Sequence, residues 1–428
     1  MSSPLRLRTA AWYGDREIEL TVPDSWDVQV FRPDTPSPLG DEEIAAALDR
    51  PVGQAPIAEL ARGKARPVIL VDDLTRPTPV GRILPHVIRQ FELAGVPAAR
   101  ISVVVGTGSH PPPPPGGVER KLGAASGCRV IVHDCTRDVA RIGATSFGTP
   151  VVVNRDVLAG DFLVGIGGVY PQHSTGFGGG SKLALGALGK RSIIRLHYGH
   201  ESGAGSVDVE NPFRRDLDEI ARMIGLGTVI STHVDANREI VRIVAGDPAA
   251  SYRDEAAFAL ASYRAPHPDD ADVVIANAYP IDTSLTFVRS KGLIPLFRAA
   301  PGASRIVIAA CSEGVGHHGL FPFVTGSRLQ RPRHAWRTVR ARPGAVPGAL
   351  ARRASSRLRR TSDDASGRHP VWLYRPEGSD APLPAEIPGI RQAGAWGAVL
   401  ERVAREQGPE RPLRVAVYPC APLQVLGG

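Results

Sequence analysis

The sequence predicts an α/β protein: two α/β domains with mostly parallel sheets. Three observations carry that expectation. Short runs of Val, Ile and Leu at 67–72, 101–105 and 130–133 end in polar residues, the pattern of buried parallel strands whose carboxyl ends open on a ligand site. Helical segments alternate with these runs. After a linker, Ala265-Pro-His-Pro268, the plan restarts with Asp272-Val-Val-Ile-Ala276. The expected domains are therefore an N-terminal catalytic domain at 1–264 and a C-terminal domain at 269–428, with the active site in the cleft between them.

Each element has a local reason. Residues 9–32 alternate polar and apolar side chains and are expected to form strands of an antiparallel piece. Asp41, Glu42 and Glu43 place carboxylates in the first turn of a short helix, where the helix dipole favours them. The run at 67–72 continues into Asp73-Leu-Thr-Arg-Pro-Thr-Pro79, whose prolines force an extended exit before a helix at about 80–93. The strand at 101–105 leads into Gly106-Thr-Gly-Ser-His110, and five prolines from Pro111 to Pro115 stiffen the loop that carries His110. A turn and strand are expected at 148–154. A strand at 162–165 enters the stretch from Gly167 to His200. There a glycine loop (Gly176, Gly178, Gly179, Gly180) precedes Lys182 and is expected to open a helix that ends at His197. Asn211-Pro212 is an N-cap followed by proline at the first helical position, with Phe213, Leu217, Ile220 and Ile224 on one face. A strand pair at 228–230 and 239–244 and a helix from 247 to about 263 complete the first domain. In the second, strands at 305–309 and 413–417 flank an insertion at about 325–365 and a helix at about 391–406.

Composition narrows the function. The 428 residues contain no apolar run approaching a membrane span, and the first twenty lack the apolar core of a secretory signal. The four cysteines (Cys128, Cys135, Cys311, Cys420) have no CxxC spacing, which fits a reducing, cytoplasmic setting without disulfides or a zinc site. The net charge of +8 is local: Arg328 to Arg360 holds eleven arginines, no acidic residue lies between Glu313 and Asp363, and the remainder is mildly acidic. Nucleic acid binding is therefore not expected. The arginine run reads as a solvated surface insertion, or as a recruiting segment for an anionic partner.

Glycines before a helix expose backbone N–H groups at its positive end, which suits a phosphate. The loop is not that of an NTPase, because Ser181-Lys182-Leu183 lacks the hydroxyl that follows the lysine there. Polar candidates at strand ends are Asp72, Thr75, Arg76, His110, His173, Lys182, His197, Asp282 and Lys291. Two neutral histidines can trade a proton on either side of a substrate carbon. An arginine and a lysine can hold a carboxylate. A lone histidine is a sensible metal ligand when a cofactor supplies the other ligands.

These pieces resemble, in order and spacing over residues 10–315, the lactate racemase family that uses a nickel-pincer nucleotide. The matching segments are Tyr13-Gly14, Asp72-Asp-Leu-Thr-Arg-Pro-Thr-Pro79, Gly106-Thr-Gly-Ser-His110-Pro111, the stretch from His173 to His197, Asn211-Pro212, Gly246-Asp247, Ser290-Lys291-Gly292 and Glu313-Gly314. The resemblance implies a racemase or epimerase of a 2-hydroxy acid. Its cofactor would be a pyridinium-3-thioamide-5-thiocarboxylic acid mononucleotide carrying nickel, delivered by cofactor-synthesis enzymes. It implies Lys182 as the tether, His197 rather than His200 as the nickel ligand, and His110 and His173 as the acid/base pair. Arg76 and Lys291 would hold the substrate carboxylate. Asp72, Thr75, Gly178, Gly179 and Gly180 would contact the cofactor. At 282–290 the chain departs from the family pattern, with Thr286 and Phe287 nearest the family's aromatic and glutamine positions, which points to a different and larger substrate than lactate. Two other functions share parts of this pattern: a hydride-transferring oxidoreductase with the same cofactor, and a non-catalytic binding protein that works through the arginine run.

Overall fold

Strands of Val, Ile and Leu with no polar face must be covered on both sides, and two such sheets form here. The computed structural model describes residues 4–123, 127–200, 207–321, 336–337, 340, 369–408 and 411–427. The arginine-rich insertion lies outside the described residues apart from 336, 337 and 340. Two units form: 34–262, and 1–33 together with 263–428.

The 34–262 unit holds a six-stranded sheet. Its order is Ile240–Gly246, Leu226–Val234, Phe162–Gly168, Pro67–Asp72, Ser102–Gly106, Arg129–Val132. All neighbours run parallel except the first pair, which is antiparallel. Helices Asp41–Asp49 and Val80–Leu93 send Ile44, Leu48, Ile83, Val87 and Phe91 onto one face, against Ile69, Val71, Val103, Val105, Val164 and Ile166. Two alternate positions of the Phe162–Gly168 strand, Gly165 and Gly167, are glycines. A Cβ on Gly167 would stand 2.5 Å from Leu183 Cδ2, and one on Gly165 2.9 Å from Leu183 Cδ1. Those glycines leave room for the 3₁₀ segment Gly180–Ala187 to lie directly on the sheet. Gly167→Ala is accordingly expected to cost about 1–3 kcal/mol by overpacking, read as a lowered midpoint in chemical denaturation.

The expected single helix from the glycine loop to His197 does not form. The 3₁₀ segment stops at Ala187, and a separate helix, Lys190–Gly199, follows. The break is imposed by the antiparallel ribbon Val139–Ala144 with Pro150–Asn154. Leu188 bridges to Val153, Gly189 N donates to Val152 O at 2.8 Å, and a Cβ on Gly189 would meet Val152 at 2.6 Å.

The other unit holds a six-stranded sheet in the order Ile390–Ala393, Val371–Tyr374, Ser304–Ile308, Val273–Asn277, Leu413–Tyr418, Trp26–Val30, parallel throughout. Residues 1–33 thus join the C-terminal unit, which corrects the expected 1–264 domain. Only Leu5–Thr9 and Arg16–Leu20 form the expected antiparallel piece. Trp26–Val30 instead extends the parallel sheet beside Leu413–Tyr418. Asp282 fastens the N-terminal segment: its buried carboxylate accepts from Ala10 N (2.9 Å), Ala11 N (3.1 Å), Ala310 N (3.3 Å) and Thr9 Oγ1 (3.3 Å). This candidate is therefore a structural pin. The expected helix near 391–406 is the strand Ile390–Ala393 followed by helix Trp396–Gln407. All four cysteines are free thiols, and among the described residues no helix is long and apolar enough to cross a membrane.

Candidate active site

The loop after Pro67–Asp72 is built on two adjacent carboxylates with different partners. Asp72 receives Lys121 Nζ at 2.6 Å, Thr78 Oγ1 at 2.6 Å and Gly168 N at 3.2 Å. Lys121, fully buried, also donates to Thr78 O (3.0 Å) and Arg76 O (3.2 Å). Asp72, read from sequence as a cofactor contact, therefore spends its carboxylate bracing the loop. Asp73 turns the other way. It accepts from Thr75 N (3.1 Å) and Thr75 Oγ1 (2.5 Å), and its second oxygen takes His110 Nδ1 at 2.7 Å. Thr75, the other loop residue read as a cofactor contact, thus fixes Asp73.

Burial opposes charge on Asp73, but His110, Arg76 and Thr75 outweigh it and hold the carboxyl well below the usual carboxylate range. His110 is lowered from its ordinary value, first by burial and further by Arg76 and Lys182, while Asp73 pulls the other way. The pair is a carboxylate and a neutral imidazole whose Nδ1–H is donated, so Nε2 carries the ring's lone pair. Arg76 is half-buried beside this pair, with its guanidinium 5.9 Å from the centre of the Tyr170 ring.

Lys182 reaches the same region from the 3₁₀ segment. The His110 loop and that segment are joined by Gly108 N donating to Gly186 O at 3.0 Å. The Lys182 side chain is half-buried, and its amine has no hydrogen-bond partner among the described residues. Burial, then Arg76 and Arg214, push it down to about 7, against the pull of Asp72 and Asp73. The preceding glycine loop is a small hairpin, Pro171–Gln172 with Gly176–Phe177, and half-buried His173 stands in its turn. A Cβ on Gly178 would meet Gly168 O at 2.5 Å, on Gly179 Val169 Cγ2 at 2.7 Å, and on Gly180 Pro248 O at 2.9 Å. These glycines are required by close packing of the hairpin on its own unit, whatever else binds there. Beside the hairpin, the buried Ser231 and Thr232 hydroxyls and the Gln172 amide nitrogen have no hydrogen-bond partner among the described residues.

The two histidines at the end of helix Lys190–Gly199 differ in their chemistry. His197 Nδ1 donates to Ile193 O at 2.8 Å, which leaves the lone pair on Nε2. Burial dominates its pKa, and with Lys182 and His110 nearby it is pushed down to about 4 despite the Ile193 bond. His200 Nε2 is bonded to Asp216 Oδ2 at 2.7 Å, and Thr149 Oγ1 donates to the same carboxylate at 2.6 Å. His200 is thus a structural residue. His200→Ala is expected to cost about 1.5–3 kcal/mol by removing a buried hydrogen bond to the Asp216 carboxylate, whereas His197→Ala removes one neutral hydrogen bond worth about 1 kcal/mol. Urea unfolding of the two variants separates them.

His110, Arg76, Lys182 and His197 are thus brought together in the 34–262 unit. Lys291 lies in the other unit, buried in a π-helical turn, Val288–Gly292. Sequence reasoning missed Asp73, Lys121 and Arg214. Among the described residues no three His, Cys, Asp or Glu side chains are grouped to hold a metal ion. A lysine amine without a hydrogen-bond partner among the described residues, one imidazole with its lone pair on Nε2, and donors by the hairpin unsatisfied among those residues fit a tethered, anionic group that brings its own metal ligands.

Residues 13–205 match the lactate racemase N-terminal domain family. A lactate racemase of Lactiplantibacillus plantarum is 28% identical over 293 residues, spanning 65% of this chain and 68% of that protein. One from Thermoanaerobacterium thermosaccharolyticum is 25% identical over 333 residues, spanning 74% and 77%. Among solved structures, the lactate racemase apoprotein from T. thermosaccharolyticum aligns over 99% of this chain and 100% of its own, with TM-score 0.67 and 19% identity. A protein from Thermotoga maritima aligns over 92% and 99%, with TM-score 0.56 and 12% identity. At these identities the two structures speak to the fold alone, and they support the α/β architecture.

Proposed function

We propose that the chain is a lactate racemase relative that racemises or epimerises a 2-hydroxy acid with a nickel-pincer nucleotide tethered to Lys182, a reading supported by the match of residues 13–205 to the lactate racemase N-terminal domain family and by the two similar lactate racemases. The observation that carries this reading is the Lys182 amine, half-buried, without a hydrogen-bond partner among the described residues and pushed down to about 7. Near neutral pH about half of such amines are unprotonated and nucleophilic. His197 Nε2 is the proposed nickel ligand. The nucleotide phosphate is assigned to the hairpin around Gly178, Gly179 and Gly180, near the unsatisfied Ser231 and Thr232 hydroxyls.

The C–H beside a carboxylate and a hydroxyl is a very weak acid, so direct deprotonation is slow. When bound, the nucleotide supplies a hydride acceptor that returns what it takes. The protein's own task is proton transfer and orientation. Arg76 holds the substrate carboxylate, with Lys291 the proposed second cation. His110 Nε2 takes the hydroxyl proton, and Asp73 stabilises the imidazolium that forms while Thr75 fixes Asp73. The substrate is then a planar keto acid that can regain hydrogen on either face. His173 serves the opposite hand. We place the enzyme in the cytoplasm, served by cofactor-synthesis enzymes. The altered 282–290 segment points to a substrate other than lactate.

The test is incubation of one enantiomer of a 2-hydroxy acid in heavy water, followed by chiral chromatography and NMR. Inversion with the α-hydrogen retained from substrate is expected. Keto acid accumulating without inversion would overturn the racemase reading in favour of net oxidation.

A further inference from the structure

A buried arginine outside the reacting groups holds the backbone of the hairpin. Arg214 is almost fully buried in the first turn of helix Pro212–Met223, where Asn211 Oδ1 caps its backbone N–H at 2.9 Å. Its guanidinium donates to Gly179 O (3.0 Å), Phe177 O (2.6 Å) and Thr175 O (3.3 Å). The guanidinium carbon sits 3.6 Å from the centre of the Tyr252 ring, and Tyr252 itself donates to Thr175 O (2.9 Å) and accepts from Phe177 N (3.2 Å). Gly179 O is shared: Lys182 N donates to it at 3.3 Å. One planar fork thus fixes three carbonyls between His173 and Lys182, geometry that a lysine ammonium cannot copy.

We propose that Arg214 is a positioning residue for Lys182: seated on Tyr252, it locks the 173–182 backbone so that the Lys182 amine is held beside Arg76 and Asp73. This rests on Lys182 being the attachment point, because a covalent tether needs a fixed nucleophile. The Lys182 amine is faced by Arg76, Asp72 and Asp73 from the loop after Pro67–Asp72, by Arg214, and by His110 and His197. Among the described residues, Arg214 is the positive neighbour bonded to Lys182's own turn, through Gly179 O.

The chain has five lysines (Lys64, Lys121, Lys182, Lys190, Lys291), so acetic anhydride labelling of the cofactor-free protein resolves each by peptide mass. In the parent chain, Lys182 should label with a midpoint near pH 7, and exposed Lys190 serves as the reference. In Arg214→Gln the Lys182 midpoint should rise by about one pH unit or more, roughly a tenfold fall in labelling at fixed low pH. In Arg214→Lys, which keeps the charge and loses the fork, amide exchange across 171–182 should rise by about tenfold or more while the sheet stays protected. Tyr252→Phe should raise the same exchange. An unchanged midpoint in the glutamine variant, with unchanged exchange in the other two, overturns the proposal. If the glutamine variant does not fold, exchange in the lysine and phenylalanine variants decides it. Because labelling uses apoprotein, these results are separate from whether Lys182 ever carries a nucleotide.

Discussion

Lys182→Ala is expected to leave a folded protein that carries no cofactor and racemises at background rate, a loss of at least about 10⁶-fold, the low end of enzymatic acceleration. The side chain contributes little to folding, since it is half-buried and makes no hydrogen bond among the described residues. The sheet beneath it is held by Leu183 on Gly165 and Gly167, which the substitution does not touch. Lys182→Arg should be as inactive as the alanine variant, because a guanidinium stays protonated and is not a nucleophile. Melting temperatures close to the parent, combined with lost turnover and lost cofactor mass, are the checks. Turnover surviving in the alanine variant would show that the lysine is dispensable.

The second large effect is expected at the His110–Asp73 pair. His110→Asn should lower kcat by about 10²–10⁴-fold, the usual worth of a positioned acid/base. KM should change little, since the carboxylate is assigned to Arg76. Asp73→Asn should lower kcat by about 10²-fold, because the amide no longer enforces donation from Nδ1. The pH dependence has a definite sign. The proposed base would act as the neutral imidazole, and His110 is lowered from its ordinary 6.5. The acid limb of kcat/KM should therefore fall below pH 6.5. In Asp73→Asn it should move lower still, because the carboxylate's favourable pull on the imidazolium is gone. A limb moving up in that variant would contradict the pairing.

Much of this site is legible in the sequence because its groups sit at strand ends, where local pattern and function coincide. Pro67–Asp72 and Ser102–Gly106 are plain apolar runs, and the histidine, arginine and lysine follow them or the glycines closely. What is not legible depends on partners distant in sequence. Asp73 stands next to Asp72, and nothing local says which carboxylate braces the loop and which meets His110. The answer comes from Lys121, about fifty residues on. Arg214 reads locally as one more charge in a helix after Asn211-Pro212, and its role exists only once the hairpin lies against it. Trp26–Val30 has the alternation of a half-exposed strand, and that is what it is: the edge of a parallel sheet whose neighbour, Leu413–Tyr418, is almost a whole chain away. The break at Leu188 and Gly189 likewise comes from a bridge to Val153. His197 and His200 are indistinguishable by type, and Asp216 separates them.

The most direct measurement of the central claim is intact mass and metal analysis of the chain produced alongside cofactor-synthesis enzymes, with peptide mapping of the lysines. A single adduct on Lys182 with nickel in equal amount, the nickel lost in His197→Ala and kept in His200→Ala, is the expected result. An unmodified Lys182 and no nickel, in protein made under those conditions, would contradict it.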